Sequence, residues 1–304
     1  MNTVGPNKAQ EGMRMRSITQ SEMSTYGRCP KLHKFKYVDL LRPLRKSNSL
    51  RRGSAAHRGM EFRDPAAARD YILEYQDKVF GREAKDELFM MAGVAEAMIA
   101  GALDVWPHWP ELREVEFTIP LVNPKTGRAS RRHRFSGMLD GLDDATVWEF
   151  KTTSRLDSGY IDRLDVDFQV SAYLEAASRK LGRPIRKVEY YIARWPSSKQ
   201  RKNESPQEYV ERIQKDYLDR PEFYYHHESV TRTEGQMELW REEAWEIHQR
   251  ILQVENGGIA VRNTDSCVGR FGRCAFLDLC CGAVTEEAYE KVDRPHQELT
   301  EGAA

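Results

Sequence analysis

The sequence has few cysteines, no net charge and no long apolar run. Only five of its 304 residues are cysteine, and 47 basic residues balance 47 acidic ones. No apolar signal segment stands near the start, and no uninterrupted apolar run is long enough to cross a bilayer. These absences argue against a disulfide-stabilised secreted protein and against a membrane protein. We therefore expect a cytoplasmic protein without membrane contact.

The zero net charge hides an uneven distribution of charged residues. Residues 1–282 contain 45 basic and 41 acidic residues, a net charge of +4, whereas the last 22 residues are acidic. Basic residues form three clusters: Arg42, Arg45, Lys46, Arg51 and Arg52; Arg131, Arg132 and Arg134; and Lys199, Arg201 and Lys202. Such clusters are able to follow a nucleic-acid backbone, although most charged runs are only solvated faces. Trp195, before the last cluster, either stacks on a base or packs in the core, and we expect core packing.

A predicted β-hairpin is the most informative segment. Two strand-like runs, 134–142 and 146–151, flank turn-forming residues at 143–145. In this hairpin Asp140 lies opposite Glu149, and Lys151 shares the face of Glu149 because side chains alternate along a strand. Two carboxylates and an amine so placed are able to hold Mg²⁺ or Mn²⁺ beside a phosphodiester. The alternative is an exposed hairpin that carries ordinary surface charges.

Two helical segments offer further residues to the same site. The small-residue run at 51–62 predicts a helix with Ser54 as its N-cap, and the neutral imidazole of His57 is a candidate metal ligand. A second predicted helix starts at Asp165 and places Gln169 and Tyr173 on one face, where they could contact a phosphate or the lysine. Each has an ordinary alternative, a structural histidine or a polar helix edge.

The cysteines are divided between the two ends of the chain. Cys29 stands near the start, and the others are Cys267, Cys274, Cys280 and Cys281. Their spacing lacks the C-x2-C pairs of structural zinc sites. Three clustered cysteines and a remote fourth fit an iron–sulfur cluster instead. Zinc and unligated buried cysteines remain alternatives.

Together these motifs resemble those of the RecB-like nucleases of the PD-(D/E)XK superfamily, in the branch that carries a four-cysteine [4Fe–4S] cluster. That branch includes CRISPR-associated exonucleases, the AddB nuclease domain and phage-encoded proteins. The resemblance covers residues 16–282, and the matching positions are Gly53 to His57, Gly137 to Asp140, Glu149 to Lys151, Gln169 to Tyr173, and Cys29, Cys267, Cys274 and Cys280. Cys281 has no counterpart, so the last cluster ligand is either Cys280 or Cys281.

The resemblance implies an α/β fold with a restriction-endonuclease-like core, in which helices flank a mixed central sheet. It adds a helical insertion and a C-terminal iron–sulfur segment. It also implies a metal-dependent exonuclease for single-stranded DNA or DNA ends, acting in recombination, repair or phage DNA processing. The cofactors would be Mg²⁺ or Mn²⁺ and a [4Fe–4S] cluster. The metal ligands would be His57, Asp140 and Glu149, and the catalytic residues would be Asp140, Glu149, Lys151, Gln169 and Tyr173.

The same resemblance allows a helicase or recombinase partner, and a host cytoplasm if the gene is carried by a phage. Two alternatives stay open: a DNA-binding module of the same fold that is non-catalytic or partner-dependent, and a zinc-stapled protein of other function. Along the chain we expect a disordered tail over 1–15, a single nuclease domain over 16–282 with a helical insertion at about 58–112, and an acidic flexible tail over 283–304. Predicted strands cover 114–122, 187–195 and 223–231, and predicted helices cover 205–218 and 234–254.

Overall fold

A computed structural model of the chain describes residues 15–44, 48–269, 272–297 and 299. Its helices are α1 (Gln20–Arg28), α2 (Pro30–His33), α3 (Asn48–Phe62), α4 (Pro65–Leu73), α5 (Arg82–Val105), α6 (Ser158–Asp162), α7 (Phe168–Leu181), α8 (Pro206–Asp219), α9 (Pro221–Tyr224), α10 (Glu234–Glu255) and α11 (Leu277–Cys280). Its strands are β1 (Arg16–Ile18), β2 (Leu41–Pro43), β3 (Leu112–Val122), β4 (Ala129–Leu142), β5 (Thr146–Thr153), β6 (Lys187–Arg194), β7 (Tyr225–Thr231), β8 (Val268–Gly269), β9 (Gly272–Arg273) and β10 (Tyr289–Lys291). Most of the predicted N-terminal tail, and Arg45 and Lys46 of the first basic cluster, lie outside the described residues.

The main sheet is mixed, and its hydrogen-bonded strand order is β1, β4, β5, β6 and β7, with β3 paired to β4. β1 runs parallel to β4, and β5 runs parallel to β6. The pairs β4 with β5 and β6 with β7 are antiparallel. Helices precede and follow the three consecutive strands β3, β4 and β5 and flank β6 and β7, so the expected α/β fold with a mixed central sheet is confirmed.

The chain divides into two compact units. Among the described residues, unit 1 takes its parts from Met1–Pro43, Glu116–Gly137 and Glu234–Ala304, and unit 2 from Leu44–Val115 and Met138–Thr233. The sequence predicts one domain over 16–282, and it does not reveal this division. Both units are discontinuous in sequence, so no single linker marks a boundary.

Unit 1 is organised around a buried carboxylate. Glu22 accepts hydrogen bonds from the Arg16 guanidinium at 2.8 Å, from Nε2 of His33 at 2.8 Å and from Nε2 of His296 at 2.7 Å. Arg16 also donates from Nε to Glu255 at 3.0 Å. A fully buried carboxylate requires such partners, because an unpaired buried charge is strongly destabilising. The network therefore ties β1, α1, α2, α10 and the segment after β10 together.

Part of the segment predicted to be a flexible acidic tail is folded. β10 pairs with β2, the Tyr289 ring stacks on Phe276 with centroids 4.9 Å apart, and His296 is buried against Glu22. The acidic composition predicted a tail because it does not reveal the pairing with β2 or the contact with Glu22, both of which lie more than 240 residues away in sequence. Glu298 and Glu301 of the predicted tail lie outside the described residues.

Unit 2 packs helices α3, α4, α5 and α8 into one apolar core with the β5–β6 sheet. By length and composition α5 is long and apolar enough to cross a membrane, but 56% of its most apolar stretch is buried inside the protein. A long apolar helix that is mostly buried is typical of a protein core, so we assign α5 to the core of unit 2. At Gly59 of α3 a Cβ atom would come within 2.7 Å of the Ile99 side chain of α5, so the absence of a side chain permits the close approach of the two helices.

Two predicted helix starts differ from the structure. Ser54 is not an N-cap: α3 already begins at Asn48, and the Ser54 hydroxyl donates to the Leu50 carbonyl inside the helix at 3.0 Å. The helix predicted from Asp165 begins at Phe168, because the Asp167 carboxylate caps it by accepting the Gln169 backbone N–H at 2.7 Å. The other predicted strands and helices appear within a few residues of their expected bounds.

We expect Glu22→Gln to lower the free energy of unfolding by roughly 3 kcal/mol at neutral pH, because it removes one member of a buried ion-pair network. Burial by itself raises the pKa of Glu22. The Arg16 charge and the hydrogen bonds from His296 and His33 lower the pKa by more, so the folded-state pKa lies well below its usual value. The stabilisation is therefore present above the unfolded pKa of about 4.3 and is lost as pH falls below it. Urea unfolding at several pH values should show the wild type and the variant converging in acid. A constant difference at every pH would contradict the assignment.

Candidate active site

The β4–β5 turn fixes the hairpin register. Asp143 accepts the backbone N–H groups of Ala145 and Thr146, each at 2.8 Å, and the indole N–H of Trp148 at 2.9 Å. Gly141 pairs with Trp148 in this register. The pairing is present for Gly141 with Trp148 and for Leu142 with Val147; continued by one residue, it would set Asp140 opposite Glu149, the arrangement that the hairpin pattern predicts. A shift of one residue would separate the two carboxylates onto opposite faces.

Glu149 is buried in β5 and contacts two of the other residues that the sequence predicts for the site. Its Oε1 atom pairs with Nζ of Lys151 and accepts a hydrogen bond from Nε2 of Gln169 at 2.9 Å. Its Oε2 atom is buried without a partner among the described residues. Gln169 also hydrogen-bonds Tyr173 on the same face of α7. The structure therefore brings Glu149, Lys151, Gln169 and Tyr173 together.

His57, on α3, lies next to Asp140 of β4. Its Nδ1 atom lies 3.4 Å from Oδ1 of Asp140, and its ring packs edge-on against Phe150 with centroids 5.9 Å apart. The other oxygen of Asp140 accepts the Phe150 backbone N–H at 2.8 Å. Phe150 thus orients both the histidine ring and the carboxylate.

Glu114 forms a close group with His57 and Asp140, and its place in this group was not predicted from the sequence. Ligand atoms of His57, Glu114 and Asp140 all lie within 4.8 Å of one another. Glu114 lies near the start of β3 with φ of 48°, a left-handed conformation that is uncommon for residues other than glycine. The sequence predicted His57, Asp140 and Glu149 as the metal ligands, but within the described residues Glu114 takes the place of Glu149 in the close group. Only the position of Glu114 at the first residue of a predicted strand could have hinted at it.

The electrostatics of the site show an excess of negative charge. Burial and then the Asp140 carboxylate raise the pKa of Glu149 to about 7 and that of Glu114 to about 7. Burial raises the pKa of Asp140 as well, but His57 and Lys151 outweigh it and leave the pKa below its usual value. Burial lowers the pKa of Lys151, whereas Glu149 raises it more strongly, so the lysine is held charged.

These residues fit a divalent cation. Hard oxygen ligands suit Mg²⁺ and Mn²⁺, and the buried, unpartnered oxygen of Glu149 is a free ligand atom. A cation would also balance the carboxylates whose pKa values are raised, since positive charge favours their ionised forms.

Four cysteines line a separate cavity within unit 1. They are Cys29, Cys267, Cys274 and Cys280, and they share the cavity with Phe35 and Phe276. Cys281 is exposed and lies outside this lining. The backbone N–H of Asn263 points to Sγ of Cys29 at 3.4 Å. In the described part of the chain, no three cysteine sulfur atoms lie within 4.8 Å of one another.

A mixed sheet that carries a buried carboxylate–lysine pair beside a carboxylate–histidine group defines a nuclease-like class of site. The sequence matches the family model of the PD-(D/E)XK nuclease superfamily over residues 17–281, and the chain belongs to this superfamily. Among solved structures it is similar to a candidate exonuclease from Eubacterium rectale, with a TM-score of 0.53, 15% identity and 94% coverage of both chains. At that identity the likeness shows the shared fold alone. No curated protein matches the sequence.

We expect Glu114→Gln to weaken Mn²⁺ binding at least tenfold, or about 1.4 kcal/mol, because it removes one anionic ligand from the close group. Glu111→Gln is the matched control, since Glu111 is exposed three residues earlier and is not part of the group. Isothermal titration of each purified variant with Mn²⁺ measures the change. Equal affinities of the two variants would exclude Glu114 as a ligand.

Proposed function

We propose that the protein is a metal-dependent deoxyribonuclease that hydrolyses phosphodiester bonds. One observation carries the proposal: buried Glu149, with a free oxygen and a charged lysine beside it, stands next to the His57–Glu114–Asp140 group. His57, Glu114, Asp140 and Glu149 would hold the metal. The bound metal supplies a water of lowered pKa and positive charge beside the phosphate.

The remaining residues have separate tasks in this proposal. The Lys151 ammonium positions the attacking water and stabilises the charge that develops on the phosphate oxygens. Gln169 orients Glu149 through its hydrogen bond to Oε1, and Oε2, which has no partner among the described residues, would be available to the metal. Tyr173, linked to Gln169, would hold the scissile strand.

We assign single-stranded DNA with a free end as the substrate, on the resemblance of the motif set to RecB-like nucleases. The fold shared with a candidate exonuclease agrees with this assignment. The proposed setting is cytoplasmic DNA recombination, repair or phage DNA processing, with a helicase or recombinase as a possible partner. A DNA-binding module without activity is the competing function, and the intact Asp140, Glu149 and Lys151 argue against it.

We also propose that Cys29, Cys267, Cys274 and Cys280 hold a [4Fe–4S] cluster. All four line one cavity, and the Asn263 N–H contact to Cys29 is of the kind that supports a cluster thiolate. A single zinc ion would need the four sulfur atoms within about 4 Å of one another, given Zn–S bonds of about 2.3 Å. The wider sulfur spacing favours the larger cluster, and the cavity lining favours Cys280 over Cys281 as the last ligand.

Lys151→Ala should lower cleavage of end-labelled single-stranded DNA at least a hundredfold in Mg²⁺ or Mn²⁺, because charge stabilisation in the transition state is lost. Lys180→Ala, at an exposed position of α7, should keep wild-type activity. Gel assays on linear and circular single strands measure both. Equal cleavage by wild type and Lys151→Ala would falsify the mechanism, and cleavage of circles would remove the exonuclease assignment alone.

Cys29→Ala should lose iron and the brown colour of an iron–sulfur protein, because three thiolates hold the cluster poorly. Cys281→Ala is the matched control and should keep both. Iron content and visible absorbance of protein purified without oxygen provide the readout. Full iron content in Cys29→Ala, or a colourless wild type that contains zinc, would contradict the cluster.

A further inference from the structure

A second polar cavity of unit 2 is not used by the proposed mechanism. It has a volume of about 310 Å³, opens to solvent and is lined by residues of α3, α5, α8 and the loop after β6. Its polar lining includes Arg52, Glu87, Lys199 and Tyr209, and Trp195 forms part of its wall. A cavity of this size accommodates a small polar ligand or part of a polymer.

Arg52 lines this cavity and has one buried donor without a partner among the described residues. Its guanidinium lies over the Trp195 ring, 4.7 Å from the centroid, and its Nε–H is buried without a partner among the described residues. Burial lowers the pKa of Arg52, so the group lacks enough negative charge around it. Because Trp195 is buried under the arginine, it is not free to stack on a base; core packing is its role, as expected. The guanidinium is a fork suited to phosphate oxygens.

The loop that carries Lys199 is held in place. The Tyr209 hydroxyl donates to the Ser198 carbonyl at 3.0 Å, and the Arg212 guanidinium donates to the Lys199 carbonyl at 3.2 Å. These bonds fix the backbone while the Lys199 side chain stays exposed at the cavity. A preorganised loop reduces the entropy lost when a ligand binds.

The cavity and the candidate active site share helix α3 and the β5–β6 pair. Arg52 and His57 share α3 and are separated by five residues, about 7.5 Å of helix rise. The Trp195 backbone N–H donates to the Thr153 carbonyl at 2.8 Å, two residues beyond Lys151 on β5. β5 and β6 are parallel, so the cavity lies at their carboxyl ends, where open α/β sheets present ligands.

We propose that this cavity binds a phosphodiester group of the nucleic-acid strand, adjacent to the one that is cut, through Arg52 and Lys199. The proposal rests on the proposed nuclease function and adds a second contact to the same strand. Glu87 lines the cavity too and accepts a hydrogen bond from Asn48 at 2.9 Å. Its charge opposes an anion, so it limits the affinity of the subsite.

Opposite effects of three substitutions test the subsite. In a Lys151→Ala background with Mg²⁺, binding of a long labelled single-stranded oligonucleotide is measured by fluorescence anisotropy over a range of salt concentrations. Arg52→Lys and Lys199→Ala should weaken binding about tenfold and about threefold, and Glu87→Gln should tighten it about twofold. Lys199→Ala should also reduce the slope of log affinity against log salt by about 0.7, the value for one phosphate contact on a single strand. Lys202→Ala, outside the cavity lining, should change nothing.

Substrate length separates this subsite from the metal site. A dinucleotide that occupies only the metal site should bind equally to all of these variants, whereas inorganic phosphate in excess should compete with the long strand. Unchanged affinity and salt slope in Lys199→Ala, or weaker binding in Glu87→Gln, would overturn the proposal. These outcomes differ from failure of the proposed function, in which the wild type would neither bind nor cut single-stranded DNA.

Discussion

Negative charge crowded into a small buried volume is the constraint on which the site of unit 2 depends. After burial, the Asp140 carboxylate raises the pKa of both Glu149 and Glu114, whereas His57 lowers both pKa values, together with Lys151 at Glu149 and Arg58 at Glu114. Such crowding is destabilising unless the surrounding structure enforces it. Here backbone and side-chain contacts enforce it: Phe150 N–H on Asp140, Gln169 on Glu149, and a left-handed backbone at Glu114.

Further supporting contacts come from Asp143 and Asp167, which need never touch a reactant. Asp143 fixes the β4–β5 turn, and through it the pairing of Gly141 with Trp148, the chain neighbours of Asp140 and Glu149. Asp167 caps α7 and so places Gln169 in the first turn of that helix. Because each is a short-range contact, the geometry of the candidate site follows from local turn and cap chemistry once the sheet has formed.

The short-range character of these contacts explains what could be predicted from the sequence. Asp140, Glu149 and Lys151 lie within twelve residues, so strand alternation and one turn relate them. Glu114 was missed because its part in the group depends on a positive φ that tertiary packing selects and that no propensity reveals. Ser54 was misjudged as a cap because the helix extends upstream. The folded segment around His296 was missed because its partner, Glu22, is 274 residues distant.

Unit 2 therefore contains two polar regions, of which one lacks positive charge and the other lacks a hydrogen-bond acceptor. Around Asp140 and Glu149 there are too few positive charges, and Nε of Arg52 lacks an acceptor among the described residues. A cation would satisfy the first region and an anion the second, and the helix α3 spans both through His57 and Arg52. A nucleic-acid strand with a divalent metal at one of its phosphates supplies both charges at once. The two regions together therefore define the ligand more specifically than either region does alone. A free metal ion would supply only the missing positive charge, and a free phosphate only the missing acceptor.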